Sequence, residues 1–214
     1  MANFYNPDKH RVAESPELYD FVRAHPLATL VSTGPKGISV SHLPMLIEDS
    51  RDGTPAMLRG HVARANNHWQ DIGEGIEALA IFHGPQAYVT PQWYPSKLKH
   101  GKAVPTWNYA VVHVHGRIRT ISDPVWLHQH VSELSAQHEK AFAHQWLVTD
   151  APEDFIAKML QAIVGLEMTV TKIEGKWKLN QNRDEHDRTG VMVGLSARDD
   201  ANSQAVSELM RGSA

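Results

Sequence analysis

Gly84-Pro85-Gln86-Ala87-Tyr88-Val89-Thr90-Pro91-Gln92-Trp93-Tyr94 and, across a polar bridge, Val104-Pro105-Thr106-Trp107-Asn108-Tyr109 form the stretch on which the fold turns. Proline fixes φ and lacks a backbone donor, so Pro85, Pro91 and Pro105 mark bends rather than ladder interior. Trp93, Trp107, Tyr88, Tyr94 and Tyr109 each offer a flat apolar face with one polar tip. Thr106 and Asn108 place donors and acceptors among them. The bridge, Ser96-Lys97-Leu98-Lys99-His100-Gly101-Lys102, reads as an exposed, mobile basic loop. Two readings fit. Rigid aromatics beside a basic loop suit the rim of a pocket for a flat, anionic ligand, and they equally suit a proline-stapled strand crossover with an aromatic core.

Working outward, Ser15-Pro16 is an N-cap followed by proline at the first helical position, and Pro26 ends that helix. Leu27–Thr33 and Ile38–Ile47 alternate as strands around the turn Gly34-Pro35-Lys36-Gly37. A second turn, Asp49–Pro55, leads to a strand over Ala56–Val62. A short helix follows over Asn66–Asp71, then strands over Ile76–Phe82 and Ala87–Thr90. Ala110–Ile121 is the longest strand signal. Ser122-Asp123-Pro124 caps a helix whose Leu127, Val131 and Leu134 share one face. Asp150-Ala151-Pro152-Glu153 caps another, ending near Gly165. Leu166–Ile173 and Lys176–Leu179 read as a hairpin around Glu174-Gly175. From Asp184 onward the pattern gives one or two exposed helices, broken near Asp199-Asp200. Antiparallel strands with helices between them make a mainly β chain with flanking helices (α+β) and suggest a small barrel.

Hydrophobic residues make up 42% and charged residues 21% of the 214, which places the chain among globular domains. No apolar run is long enough to span a membrane, and Met1–Pro7 lacks the basic head and apolar core of a signal peptide. There is no cysteine. Disulfides and thiolate chemistry are therefore excluded, and the cytoplasm is the expected compartment. The net charge is −3, with basic residues spread along the chain and no basic recognition helix. Direct DNA binding, which leans on a clustered positive footprint, is not supported.

Several polar groups are candidates for a site. His42 precedes Leu43-Pro44, and the proline implies an edge or bulge that opens the backbone beside it. Arg59 and His61 share a strand face by period two, with Gly60 between them permitting close approach. Arg64 and Asn66 then enter a loop that leads into a helix, where a guanidinium fork and free N–H groups suit a phosphate. The same residues also fit a solvated strand end. His113 and His115 share a strand face but lack a third metal ligand, and His128, His130, His138 and His144 do not complete one. Lys178, Gln181 and Asn182 read, on their own, as a solvated turn. No serine elbow, glycine-rich phosphate loop or paired carboxylates are present, so no catalytic residue is assigned.

The two crossover phrases resemble the signature of the PaiB family of FMN-binding negative transcriptional regulators. Ser41-His42-Leu43-Pro44, Leu58-Arg59-Gly60-His61-Val62-Ala63-Arg64-Ala65-Asn66 and Lys178-Leu179-Asn180-Gln181-Asn182-Arg183 resemble it in the same order, so the likeness covers nearly the whole chain. Asn180 departs from the family's serine. The resemblance implies the antiparallel FMN-binding split β-barrel, a homodimer and FMN as cofactor. Heme is the other cofactor that such barrels admit. It implies a phosphate site in Arg59–Asn66 and puts Lys178, Gln181 and Asn182 near the flavin. The cofactor-binding set is thus His42, Arg59, Gly60, His61, Arg64, Asn66, Thr106, Trp107, Asn108, Lys178, Gln181 and Asn182. The expected domains are 1–183, the barrel with inserted helices, and 184–214, a helical extension. The function expected is flavin-linked negative regulation of transcription. A flavin-dependent oxidoreductase acting on a small acceptor is the alternative. Trp93, Tyr94, Trp107 and Tyr109 form an aromatic surface that a symmetry mate would cover.

Overall fold

Gly34 and Gly37 close the first hairpin. Strands β2 (Leu27–Gly34) and β3 (Gly37–Glu48) pair antiparallel with these glycines opposite each other. Gly37 takes a φ of 106°, open to glycine at no steric cost. A computed structural model describes residues 4–13, 15–50, 54–72 and 75–212. The centre of the expected turn at Asp49–Pro55, residues 51–53, and the start of the N-terminal segment, residues 1–3, lie outside these.

The other strands are β1 (Arg11–Val12), β4 (Met57–Ala63), β5 (Ile76–Val89), β6 (Thr106–Ile121) and β7 (Ile163–Lys178). Their order is β1-β7-β4-β3-β2-β5-β6, with β7 also bonded to β6. All the registered pairs are antiparallel. This is the expected split barrel. The helices are α1 (Pro16–Ala24), α2 (His68–Ile72), α3 (Lys97–His100), α4 (Pro124–Glu139), α5 (Glu153–Gln161), α6 (Glu185–Ser196) and α7 (Ala201–Gly212). Among the described residues no helix is long and apolar enough to cross a membrane.

The chain divides into two compact units. The first is Met1–Phe21, His83–Val112 and Glu174–Ala214, with Leu18, Val89, Tyr94, Leu179, Leu195 and Met210 in its core. The second is Val22–Phe82 and His113–Ile173, built on Leu30, Leu58, Ile72, Phe82, Ile118 and Leu166.

Several expectations are corrected. Pro85 does not break its strand: β5 runs unbroken from Ile76 to Val89. Pairing with β2 ends at Phe82, so the donor that proline lacks is not missed on that side. Nor is Glu174-Gly175 a turn. β7 continues through it, and Gly175 pairs with Val12. The glycine is there for close approach, because a Cβ on it would stand 2.4 Å from Leu18. Helix α5 ends at Gln161 rather than near Gly165, which lies inside β7 and whose added Cβ would stand 2.4 Å from the Trp126 ring. Asp150 does not cap α5; its carboxylate accepts from the Leu147 N–H at 2.9 Å. The basic bridge is not a plain loop but contains α3, closed by Gly101 at φ 67°. On α4 the buried positions are Leu127, His130 and Leu134, with His130 where Val131 was expected. The C-terminal helices are not merely exposed, since Val191, Leu195, Val206 and Met210 are fully buried. Tyr94 is 2% exposed, so it belongs to the core rather than to an open aromatic surface.

Candidate functional site

In the second unit, period two on β4 puts Arg59 and His61 on one face, as expected. What they meet there was not legible. Arg59 is shared by two carboxylates, Glu48 and Glu133, the latter at 2.6 Å. Burial alone would raise the Glu133 carboxyl, but hydrogen bonds from Gln129 and Arg59 hold it below its usual range. His61 Nδ1 lies 3.1 Å from His130 Nε2, so one imidazole donates and the other accepts. Trp126 stacks on His130 at 5.2 Å between centroids. Burial lowers both imidazoles, and for His130, with His61 and Arg59 adding to it, the pKa falls to about 4. Both therefore stay neutral near pH 7. Gly60 serves close packing: a Cβ there would stand 2.9 Å from Leu43.

Arg64 has a different environment. Its Nε and an Nη donate to the carbonyls of Gln161 and Ile163, at 2.7 and 3.0 Å, and its backbone N–H donates to Ala162. This caps the C-terminal end of α5, where carbonyls lack partners. No carboxylate offsets its charge in these contacts, and it stays exposed over the Trp69 ring at 5.9 Å. Asn66 donates to Ser41 Oγ at 2.9 Å and accepts from the His68 N–H at 3.0 Å. His68 is buried, bonded to Ser32 Oγ and Ser41 Oγ at 2.8 Å each. His42 is exposed, 3.1 Å from Thr29 Oγ1. Pairing of β3 with β4 covers only Met45–Glu48, so Pro44 stands at the end of that ladder.

The first unit gathers the crossover residues. Tyr88 and Trp107 are 42% and 45% exposed and meet edge to face, with centroids 6.1 Å apart. Lys178 Nζ donates to Thr106 Oγ1 at 2.8 Å and lies 6.0 Å from the centre of the Tyr109 ring. Asn108 is fully buried; its Nδ2 donates to Met210 Sδ at 3.4 Å, and among the described residues its Oδ1 has no donor. Gln181 is committed internally, accepting from Leu179 N–H at 2.8 Å and facing His10 Nδ1 at 2.9 Å. Asn182 is exposed. Asn180 takes φ 59° and donates to Tyr94 OH at 2.9 Å. Asparagine tolerates that left-handed conformation better than most residues, which accounts for its place in the turn.

The structure therefore groups Arg59 with His61, Asn66 with Ser41 and His68, and Thr106, Trp107 and Asn108 with Lys178. His42, Gln181 and Asn182 stand apart from these groups. Sequence reasoning missed His130, whose i+3 spacing from Leu127 was the available signal. It also missed Lys176, a buried ammonium 5.1–5.6 Å from the ring centres of Phe4, Tyr5 and Tyr109, donating to Tyr5 O. His113 and His115 lie 6.4 Å apart between ring centres, and among the described residues no three metal-ligating side chains converge. A groove of about 770 Å³ in the second unit, lined by Val125, His128, Val148, Ile156 and Leu160 among others, contains no arginine or lysine and none of the expected site residues.

The chemistry of the first unit fits a flavin in kind. It offers two part-exposed aromatic faces and a lysine–threonine pair. An isoalloxazine has flat faces and an edge of N–H and C=O groups. The model of a family described as "Putative FMN-binding domain" matches residues 4–172. An uncharacterized protein of Emericella nidulans is 32% identical, covering 87% of this chain and 88% of that one. The Bacillus subtilis protease synthase and sporulation protein PAI 2 is 28% identical over 96% of both chains. Among solved structures, the flavocytochrome Anf3 of Azotobacter vinelandii superposes with a TM-score of 0.56 at 13% identity, covering 84% of this chain and 74% of its own. An FAD- and heme-binding protein of Mycobacterium smegmatis has a TM-score of 0.56 at 14% identity, covering 84% and 78%. At these identities the two structures speak to fold alone.

Proposed function

The chain belongs to the FMN-binding family whose model covers residues 4–172, with FMN as cofactor, and on that premise we propose that it is a cytoplasmic homodimer of the PaiB type whose flavin state feeds negative regulation of transcription. The observation that carries the site assignment is the Tyr88–Trp107 surface beside the Lys178–Thr106 pair. Trp107 supplies a flat face for the ring. Thr106 and Lys178 supply edge contacts, whereas Asn108, fully buried and adjacent to Trp107 in β6, has its side chain on the other face and underpins the strand. Within the second unit, taken by itself, Arg64 is the residue we propose for a phosphate, as the resemblance implies for Arg59–Asn66. Its carbonyl partners consume donors but leave its charge uncompensated, and a guanidinium has five N–H groups. Arg59 is the weaker phosphate candidate, because Glu48 and Glu133 already offset it and a phosphate there would face two carboxylates. Bound FMN supplies the electron chemistry; the chain's residues bind and orient it.

Regulation without direct DNA contact fits the charge distribution. Helix α6 sets Glu185 and Asp187 against Arg188, and α7 sets Glu208 against Arg211, so neither carries a basic stripe. The absence of cysteine favours the cytoplasm. The test is the visible spectrum of the purified protein after loading with FMN, together with Trp107→Ala. The expected result is a flavin spectrum and about tenfold weaker binding in the variant. A spectrum without flavin overturns the reading, and a specific promoter complex that survives about 150 mM salt overturns the exclusion of DNA.

A further inference from the structure

The family match ends at residue 172, yet much of what fixes the crossover comes from beyond it. Trp93 lies directly on α6. A Cβ on Gly194 would stand 2.3 Å from its indole ring, and one on Gly190 would stand 2.1 Å from its carbonyl oxygen. Only glycines at both positions allow this approach. Next to Trp93, Ser96 donates twice to Asp187, from its backbone N–H at 3.0 Å and from Oγ at 2.7 Å, and that carboxylate is 1% exposed. Arg183 places its guanidinium 4.5 Å from the centre of the Tyr94 ring and pairs with the same Asp187 at 3.8 Å. On α7, Met210 takes the Asn108 hydrogen bond. The two helices are locked together by Ser207, whose Oγ donates to Met192 O at 3.0 Å and lies 2.8 Å from Ser196 Oγ.

We propose that the α6–α7 hairpin is a clamp on the flavin site of the first unit, with Gly194 and Asp187 as positioning residues, so that docking of the hairpin and binding of FMN are coupled. The proposal rests on the assignment of the ring to the Trp107 surface. It requires no contact between the hairpin and the flavin. The clamp holds Trp93, Tyr94 and Ser96 at one end of the crossover and Asn108 at the other. Whatever loosens the hairpin then loosens both ends at once. Coupling is reciprocal, so FMN also holds the hairpin down.

Gly194→Ala is the smallest change that breaks the Trp93 contact, and Asp187→Ala breaks the Ser96 contact by a separate route. Gly212→Ala, whose added Cβ meets nothing within 4 Å, is the control. Amide hydrogen exchange over Thr90–Ser96 and Thr106–Tyr109 is read on the full chain without flavin, and FMN affinity by titration. Both test variants should exchange faster in both segments and bind FMN at least about fivefold more weakly. FMN should slow proteolytic release of the hairpin from the unsubstituted chain, and the control should match that chain throughout. Unchanged exchange in both variants overturns the clamp. Faster exchange with unchanged affinity overturns the coupling. If the unsubstituted chain binds no FMN, the ring assignment and the coupling fall together, while the exchange data still decide the clamp. If Gly194→Ala does not fold, Asp187→Ala decides alone.

Discussion

Lowering the pH from about 7 to about 5 should weaken this protein through His130. The imidazole is fully buried, bonded to His61 and stacked on Trp126. Its pKa lies at about 4 in the fold, against an ordinary value of 6.5. Below about pH 6.5 the unfolded chain therefore takes up a proton that the fold refuses. The stability due to the neutral form is complete above that pH and falls as pH drops toward 4. Between about pH 7 and about pH 5 the loss is about 2 kcal/mol from this one group. For a chain of this length that is a fall of roughly 4–8 °C in melting temperature. His61 and His68, both lowered by burial, add to the slope in the same direction. Urea unfolding at both pH values, on the unsubstituted protein and on His130→Gln, isolates the contribution. The variant will be less stable at neutral pH, but its loss between the two pH values should be smaller by about 2 kcal/mol. Equal losses in the two proteins would refute the buried neutral imidazole.

His68→Ala should cost about 2–4 kcal/mol in urea unfolding, because it leaves the buried hydroxyls of Ser32 and Ser41 without their shared partner; a change below about 0.5 kcal/mol would mean that water replaces the ring without loss. FMN should stabilise the dimer, and dilution to monomer should release FMN. Sedimentation velocity at protein and flavin wavelengths reads both, and a flavin-loaded monomer would rule out the coupling.

Much of the fold was legible because its signals are local. The Gly34–Gly37 turn and the proline after Asp123 each fix a boundary through a few adjacent residues. Pro85 and Gly175 misled for the opposite reason. Each has a local meaning, bend or turn, that a long-range fact overrides: a β2 partner that has already ended, or a Leu18 side chain that needs the space. Around the candidate site, residue types were legible and partners were not. Arg59 and His61 are placed on one face by period two, but nothing in the sequence tells that Glu133 and His130 of α4 meet them. Likewise the aromatic count suggested an open patch, whereas Tyr94 is enclosed by Asn180 and Arg183 from a turn more than eighty residues away.

The most direct test is a paired titration of flavin-free protein with FMN and with riboflavin, repeated on Arg64→Leu. FMN should bind at micromolar Kd or tighter, and riboflavin, which lacks the phosphate, at least about tenfold more weakly. The variant should lose that difference while keeping its riboflavin affinity. Equal binding of the two flavins by the unsubstituted protein, or an unchanged preference in Arg64→Leu, would contradict the phosphate assignment, and no binding of either would contradict the account at its root.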